Sequence, residues 1–126
     1  MSTNSFVGMV DGDKIIFVRC HFDGQPRHQH PLLVKYYNTK DDVETLINSG
    51  DIRSVGEHPD PYDPDGEPRV IAKSLFWGYV QQQYVSFVYL FDGEQWGTYV
   101  LADGDYYKIV SNEPNHLIVQ SNKETT

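Results

Sequence analysis

The 126 residues, with a 39% hydrophobic fraction, two Trp, nine Tyr and six Phe, suffice for one domain with a real core and exclude wholesale disorder. A net charge of −8 disfavours general nucleic-acid binding, because phosphates would meet a repulsive surface. No apolar run approaches the roughly 18 residues of a membrane span. Met1 to Asn4 lacks the charged and apolar regions of a secretory leader, and the single Cys forms no internal disulfide, so a cytoplasmic protein is expected.

In chain order, strands are predicted at about 5–10 and 14–20, separated by Asp11-Gly12, a tight-hairpin signal because Gly tolerates positive φ. Ile16, Val18 and Cys20 share one face of the second strand, so Cys20 reads as a small buried hydrophobe. Leu32, Leu33, Tyr36 and Tyr37 have helical spacing, with Pro31 suited to a first turn. Thr39 is an N-cap candidate for a second helix, with Asp41, Asp42 and Glu44 near its positive end, Val43, Leu46 and Ile47 inward, and Gly50 at its stop.

From Glu57 to Arg69, four prolines and five acids predict an exposed, locally stiff and mobile loop. A third helix is expected over about 70–82, with Ile71, Ala72, Leu75, Phe76, Tyr79 and Val80 on one side. Strands at about 84–91, 95–101 and 106–110 form a meander around Asp92-Gly93 and Asp103-Gly104. The strand over 84–91 is apolar on both faces, which fits either a central strand covered twice or a face used in a homo-oligomer. Residues 1–122 are thus expected to form a single domain, with a flexible tail over 123–126. The fold class is α+β: an antiparallel sheet of about five strands, a hairpin plus a three-strand meander, with two or three helices packed on it.

The densest chemistry lies in Cys20-His21-Phe22-Asp23-Gly24-Gln25-Pro26-Arg27-His28-Gln29-His30, at a strand end where side chains are often displayed. Charge is also divided along the chain. Lys14 to Lys40 holds five bases, three His and one acid, whereas Asp41 to Glu67 holds nine acids and one base. Four chemistries can be weighed. A metal would need His28 and His30 on one side of an extended segment, completed by His21 or Cys20; no established ligand motif supports it, and neither metal nor cofactor is expected. An enzyme would rest on a His21–Asp23 pair, against which stands the simpler role of Asp23 in shaping its own turn. Anion or nucleotide binding would use Arg19, Arg27, Lys35 and Lys40 with the histidines, and Phe22, Tyr36 or Tyr37 as a stacking ring. The acidic block from Asp41 to Glu67 offers a fourth role, mimicry of a nucleic-acid backbone toward a basic partner.

Cys20-His21-Phe22-Asp23-Gly24-x-Pro26, then Leu32-Leu33, Tyr37-Asn38-Thr39, Val43, Leu46-Ile47 and Gly50-Asp51-Ile52-x-Ser54-x-Gly56, resembles a family of small uncharacterised phage and prophage proteins. Phe22 stands where that pattern usually has Trp, and His28 and His30 fall outside it. The resemblance implies a phage setting and an α+β fold, and no reaction. The expectation is therefore a non-enzymatic phage-encoded accessory protein in the bacterial cytoplasm, a host-defence antagonist that captures a nucleotide-type small molecule or a host protein. Its expected ligand-binding residues are Arg19, His21, Phe22, Asp23, Gly24, Pro26 and Arg27. A small enzyme acting on a phosphate-containing substrate through His21 and Asp23 is the alternative.

Overall fold

In the computed structural model, the described residues are 3–62, 66–102, 104–113 and 116–121, with backbone alone for 110–113 and 116–121. Strand β1 (Ser5–Asp11) turns at Gly12, φ +60°, into β2 (Lys14–Cys20), and the two pair antiparallel from Asp11↔Lys14 to Ser5↔Cys20. This is the hairpin that Asp11-Gly12 predicts. Helices α1 (Pro26–Tyr36) and α2 (Lys40–Asn48) follow, then strand β3 (Arg69–Ala72) and helix α3 (Lys73–Gln83). Strands β4 (Phe87–Phe91), β5 (Trp96–Ala102), β6 (Asp105–Glu113) and β7 (His116–Ser121) complete the sheet.

The fold is α+β, but the sheet is mixed and has seven strands among the described residues, in the order β3-β2-β1-β4-β5-β6-β7. The expectation of about five antiparallel strands is corrected at three points. β1 and β4 are parallel neighbours, because the chain between them crosses through both helix layers before returning. Residues 70–72, expected to open the third helix, instead form with Arg69 an edge strand on β2 (Arg69–Ala72), and α3 starts only at Lys73. β7 extends the predicted meander beyond β6. The expected strand start at Tyr84 is also too early: Tyr84 caps α3 in the left-handed region, φ +54°, and is exposed. The 123–126 tail lies outside the described residues.

Strand parity divides the core in two. Val7, Met9, Val18, Cys20, Tyr89 and Phe91 pack with Leu33, Tyr37, Val43, Leu46 and Ile47 from the α1–α2 layer. On the opposite face Phe6, Ile15, Phe17, Val88 and Leu90 pack with Phe76 and Val80 of α3. β4 is thus central and covered on both faces, which accounts for its double apolar pattern. Thr39 caps α2 by accepting from the Asp42 N–H at 3.2 Å, with Asp41 and Asp42 in its first turn. α1 begins at Pro26 rather than Pro31, which lies inside the helix. Among the described residues, no helix is long and apolar enough to cross a membrane.

Candidate functional site

Past Cys20 the chain leaves the sheet and is met by Asp51–Arg53, which follows the end of α2. Ile52 N–H donates to Arg19 O at 2.8 Å, His21 N–H to Ile52 O at 3.0 Å, and Phe22 N–H to Arg53 O at 2.8 Å. On its other side, Arg53 N–H donates to Asp60 O and Tyr62 N–H to Asp51 O, both at 2.8 Å. Three segments thereby run side by side, with Ile52 bridging Cys20 in parallel and Pro61 in antiparallel fashion. Within the excursion expected over 57–69, the described part up to Tyr62 is largely exposed and is tied to the Asp51–Arg53 segment by these backbone hydrogen bonds. The ties begin at Gly50, φ +77°, where a Cβ would collide with the Gly66 backbone, so glycine is required for this close approach.

This arrangement builds a polar and aromatic corner around His21. The imidazole stacks on Tyr62 with centroids 3.8 Å apart and planes 14° from parallel. Its Nε2 lies 3.9 Å from Asp51 Oδ2, an electrostatic contact too long for a hydrogen bond, and that nitrogen is buried without a hydrogen-bond partner among the described residues. Asp51 is engaged elsewhere. Its Oδ1 accepts from Arg69 Nη1 and from the Arg19 backbone N–H, both at 2.9 Å, and its Oδ2 accepts from Arg69 Nη2 at 3.4 Å. Burial would raise the Asp51 pKa, but the hydrogen bonds from the Arg69 guanidinium and the Arg19 backbone N–H, with the charge of Arg69, hold it below the usual carboxylate value. Burial lowers the His21 pKa; Asp51 opposes that shift, and Arg19 and Arg69 reinforce it, so the ring is neutral at pH 7.

Around this centre the surface is open. Phe22 and Tyr62 are 42% and 44% exposed, their centroids 6.4 Å apart. The Arg53 guanidinium lies 5.7 Å from the Tyr62 ring centre, with its Nε 3.8 Å from Asp60 Oδ1. Arg19 projects to the other face of the sheet, 5.0 Å over the Phe6 ring, and donates to Gln83 Oε1 at 3.3 Å.

The remaining sequence-predicted residues divide clearly. Gly24 and Pro26 are buried and serve the fold. Gly24 N–H donates to Thr3 O at 3.0 Å, Gly24 O accepts from Tyr89 Oη at 2.6 Å, and Pro26 opens α1. Asp23 takes the left-handed conformation of the turn, φ +57°, and is exposed. The carboxylate within ion-pairing distance of His21 is that of Asp51, so the envisaged His21–Asp23 pair is replaced by a different contact. Arg27 is exposed in the first turn of α1 and makes none of the corner's contacts. Cys20 is fully buried, its thiol pushed up to about 11 chiefly by burial, and Sγ donates to Phe22 O at 3.3 Å, so it is a poor nucleophile.

His28 and His30 lie on a helix, where residues two apart point to different sides, contrary to the extended geometry considered for a metal. No three His, Cys, Asp or Glu side chains converge among the described residues. Lys35 lies over Tyr36, Lys40 faces Glu44 at 3.9 Å, and Tyr37 Oη donates to Gly56 O at 2.8 Å. Asp51, Arg53, Tyr62 and Arg69 are the members of the corner that sequence reasoning missed. Their one advance signal is that Arg53 and Arg69 are the two bases at the core and the end of an acidic stretch. No protein-family model matches the chain, and comparisons with curated proteins and with solved structures likewise find no match.

Proposed function

We propose that this chain is a non-enzymatic accessory binding protein that captures a small anionic, nucleotide-type ligand at the His21 corner. The observation that carries this is the exposed Phe22–Tyr62 ring pair with the Arg53 guanidinium beside it. A planar base gains by stacking on exposed aromatic rings, and a phosphate gains from guanidinium donors. Arg53 is 56% exposed and paired with Asp60 only at 3.8 Å, so an incoming anion competes with a weak surface contact. Arg69 supplies a second guanidinium, already oriented by Asp51.

Binding is favoured over catalysis by the state of His21. A general base needs a ring nitrogen positioned by a close partner, whereas Nε2 stands 3.9 Å from a carboxylate that already accepts from Arg69 and Arg19. The phage setting and the role of host-defence antagonist rest on the resemblance over 20–56, and a host protein that presents a phosphate or carboxylate is the other ligand class compatible with these donors.

Calorimetry against mono-, di- and cyclic nucleotides tests the proposal, with Arg53→Ala and Phe22→Ala as variants. One nucleotide class is expected to bind the parent chain, and each variant should weaken it by about 1–3 kcal/mol. A panel without heat sinks the nucleotide assignment, and conversion of any nucleotide during the titration would replace binding by catalysis.

A further inference from the structure

At the far end of the sheet from His21, a groove of about 260 Å³ opens between α1 and the β4–β5 turn. One wall is a stripe at four-residue spacing, His30, Val34 and Asn38; the other comes from Phe91, Glu94, Gln95 and Trp96. The groove is firmly built. Phe91 and Trp96 are register partners with ring centroids 5.4 Å apart, and Trp96 Nε1 donates to Tyr37 O at 2.7 Å, which fixes the indole. His30 Nδ1 lies 2.9 Å from Thr98 Oγ1. The turn is held by Asp92, whose Oδ1 accepts from the N–H groups of Glu94 and Gln95 at 2.8 and 2.9 Å.

Its chemistry is one-sided. No Lys or Arg lines the groove, and Glu94 is the formally charged group in it at neutral pH. Burial holds the His30 pKa below the usual imidazole range, so this ring adds no positive charge. Glu94 is exposed and makes no ion pair among the described residues. Val34, 46% exposed, leaves an apolar rim. An apolar edge at Val34, the rims of two buried rings and one unpaired carboxylate complement a cation carried on an apolar body and repel an anion. The volume lies just below the roughly 300–1,000 Å³ of common ligand pockets, which restricts the occupant to about one ring or a short chain.

We infer that this groove is a second binding site, independent of the His21 corner, for a small organic cation: an ammonium or guanidinium head on a short apolar body. The test uses the full chain and three probes of one shape, benzylammonium, benzyl alcohol and benzoate, followed through the Trp96 indole N–H resonance. Trp77→Phe, which removes the other indole signal, assigns it. Benzylammonium should shift the Trp96 signal saturably, with benzyl alcohol at least about fivefold weaker and benzoate weaker still. Glu94→Gln, an exposed change that keeps the turn, should weaken benzylammonium about fivefold and leave benzyl alcohol unaltered. The inference is overturned by equal binding of the cation and the alcohol, by unchanged affinity in Glu94→Gln, or by no saturable shift up to about 10 mM. None of these outcomes touches the nucleotide reading, whose variants lie at the other end of the sheet.

Discussion

The turn from Asp23 to Pro26 and the corner around His21 are contiguous in the chain and opposite in character. In the turn, Gly24 and Pro26 are buried and the Gly24 backbone is gripped at both ends, by Thr3 and by Tyr89. In the corner, rings and guanidinium groups stay half exposed and are positioned by segments from far along the chain. A motif that reads as one cluster is thus two devices: a structural staple that launches α1, and a displayed surface whose other half comes from Asp51–Tyr62 and Arg69. Adjacency in sequence says little about shared work when a strand end and a helix start meet.

The largest effect that sharpens this contrast is expected at Gly24. A Cβ there would stand 2.8 Å from Thr3 O and 2.9 Å from Ser5 Oγ, so Gly24→Ala should destabilise the fold by about 2–3 kcal/mol through overpacking. Urea denaturation measures it, and a loss below about 0.5 kcal/mol would break the distinction between staple and surface. Tyr89→Phe comes next. It removes the phenol that donates to Gly24 O in a fully buried setting and should cost about 1–3 kcal/mol while leaving ligand affinity at the corner unchanged.

Asp51 belongs to both devices in part, because its carboxylate positions Arg69 and also satisfies the Arg19 N–H. Arg69 is 39% exposed, so solvent screening limits the loss in Asp51→Asn to about 1–2 kcal/mol. The pH dependence has a definite sign. A carboxylate with a lowered folded pKa contributes stability above its unfolded value, near 3.8, and that contribution disappears as pH falls through the lower folded value. Acid titration of stability should therefore be flatter below about pH 4 in Asp51→Asn than in the parent chain. An unchanged acid limb would mean that Arg69 is held by other contacts.

How far these regions were legible in advance follows from the range of the forces involved. Local signals carried well: Asp11-Gly12 marked the first hairpin, Thr39 with its following acids marked α2, and alternation placed Cys20 inward. β3 was hidden because four residues, Arg69–Ala72, run straight into the apolar stripe of α3 and are too short to show a period of their own. The Leu117-Ile118-Val119 run of β7 does carry a strand signal. The parallel β1–β4 pairing has no local signature, since it depends on where the intervening helices pack. For the same reason His21 could be singled out while its partners could not. Asp51 looks like a residue after a helix stop, and Tyr62 sits among prolines that suggest only an exposed loop.

The smallest expected effect is also the most specific to the corner. His21 has a lowered folded pKa, so between about pH 6.5 and its folded value the unfolded chain binds more protons, and stability should fall as pH drops through that window. An anion at the corner acts in the opposite direction. Negative charge near the imidazole favours its protonated form, so the liganded His21 should titrate at higher pH than the free one, and affinity should rise as pH falls from 7 toward 5.5. The gain should be modest, about twofold to fivefold, because the two guanidinium groups supply most of the attraction for the anion. His21→Gln should abolish the binding slope and reduce the stability slope, to which His30 with its own lowered pKa also contributes, while Tyr62→Leu, which removes the stacked ring and keeps the imidazole, should retain the binding slope with weaker affinity. Calorimetry of the same nucleotide at three pH values in each variant distinguishes them. A binding slope that survives in His21→Gln would assign the proton to a different group and detach His21 from the ligand surface.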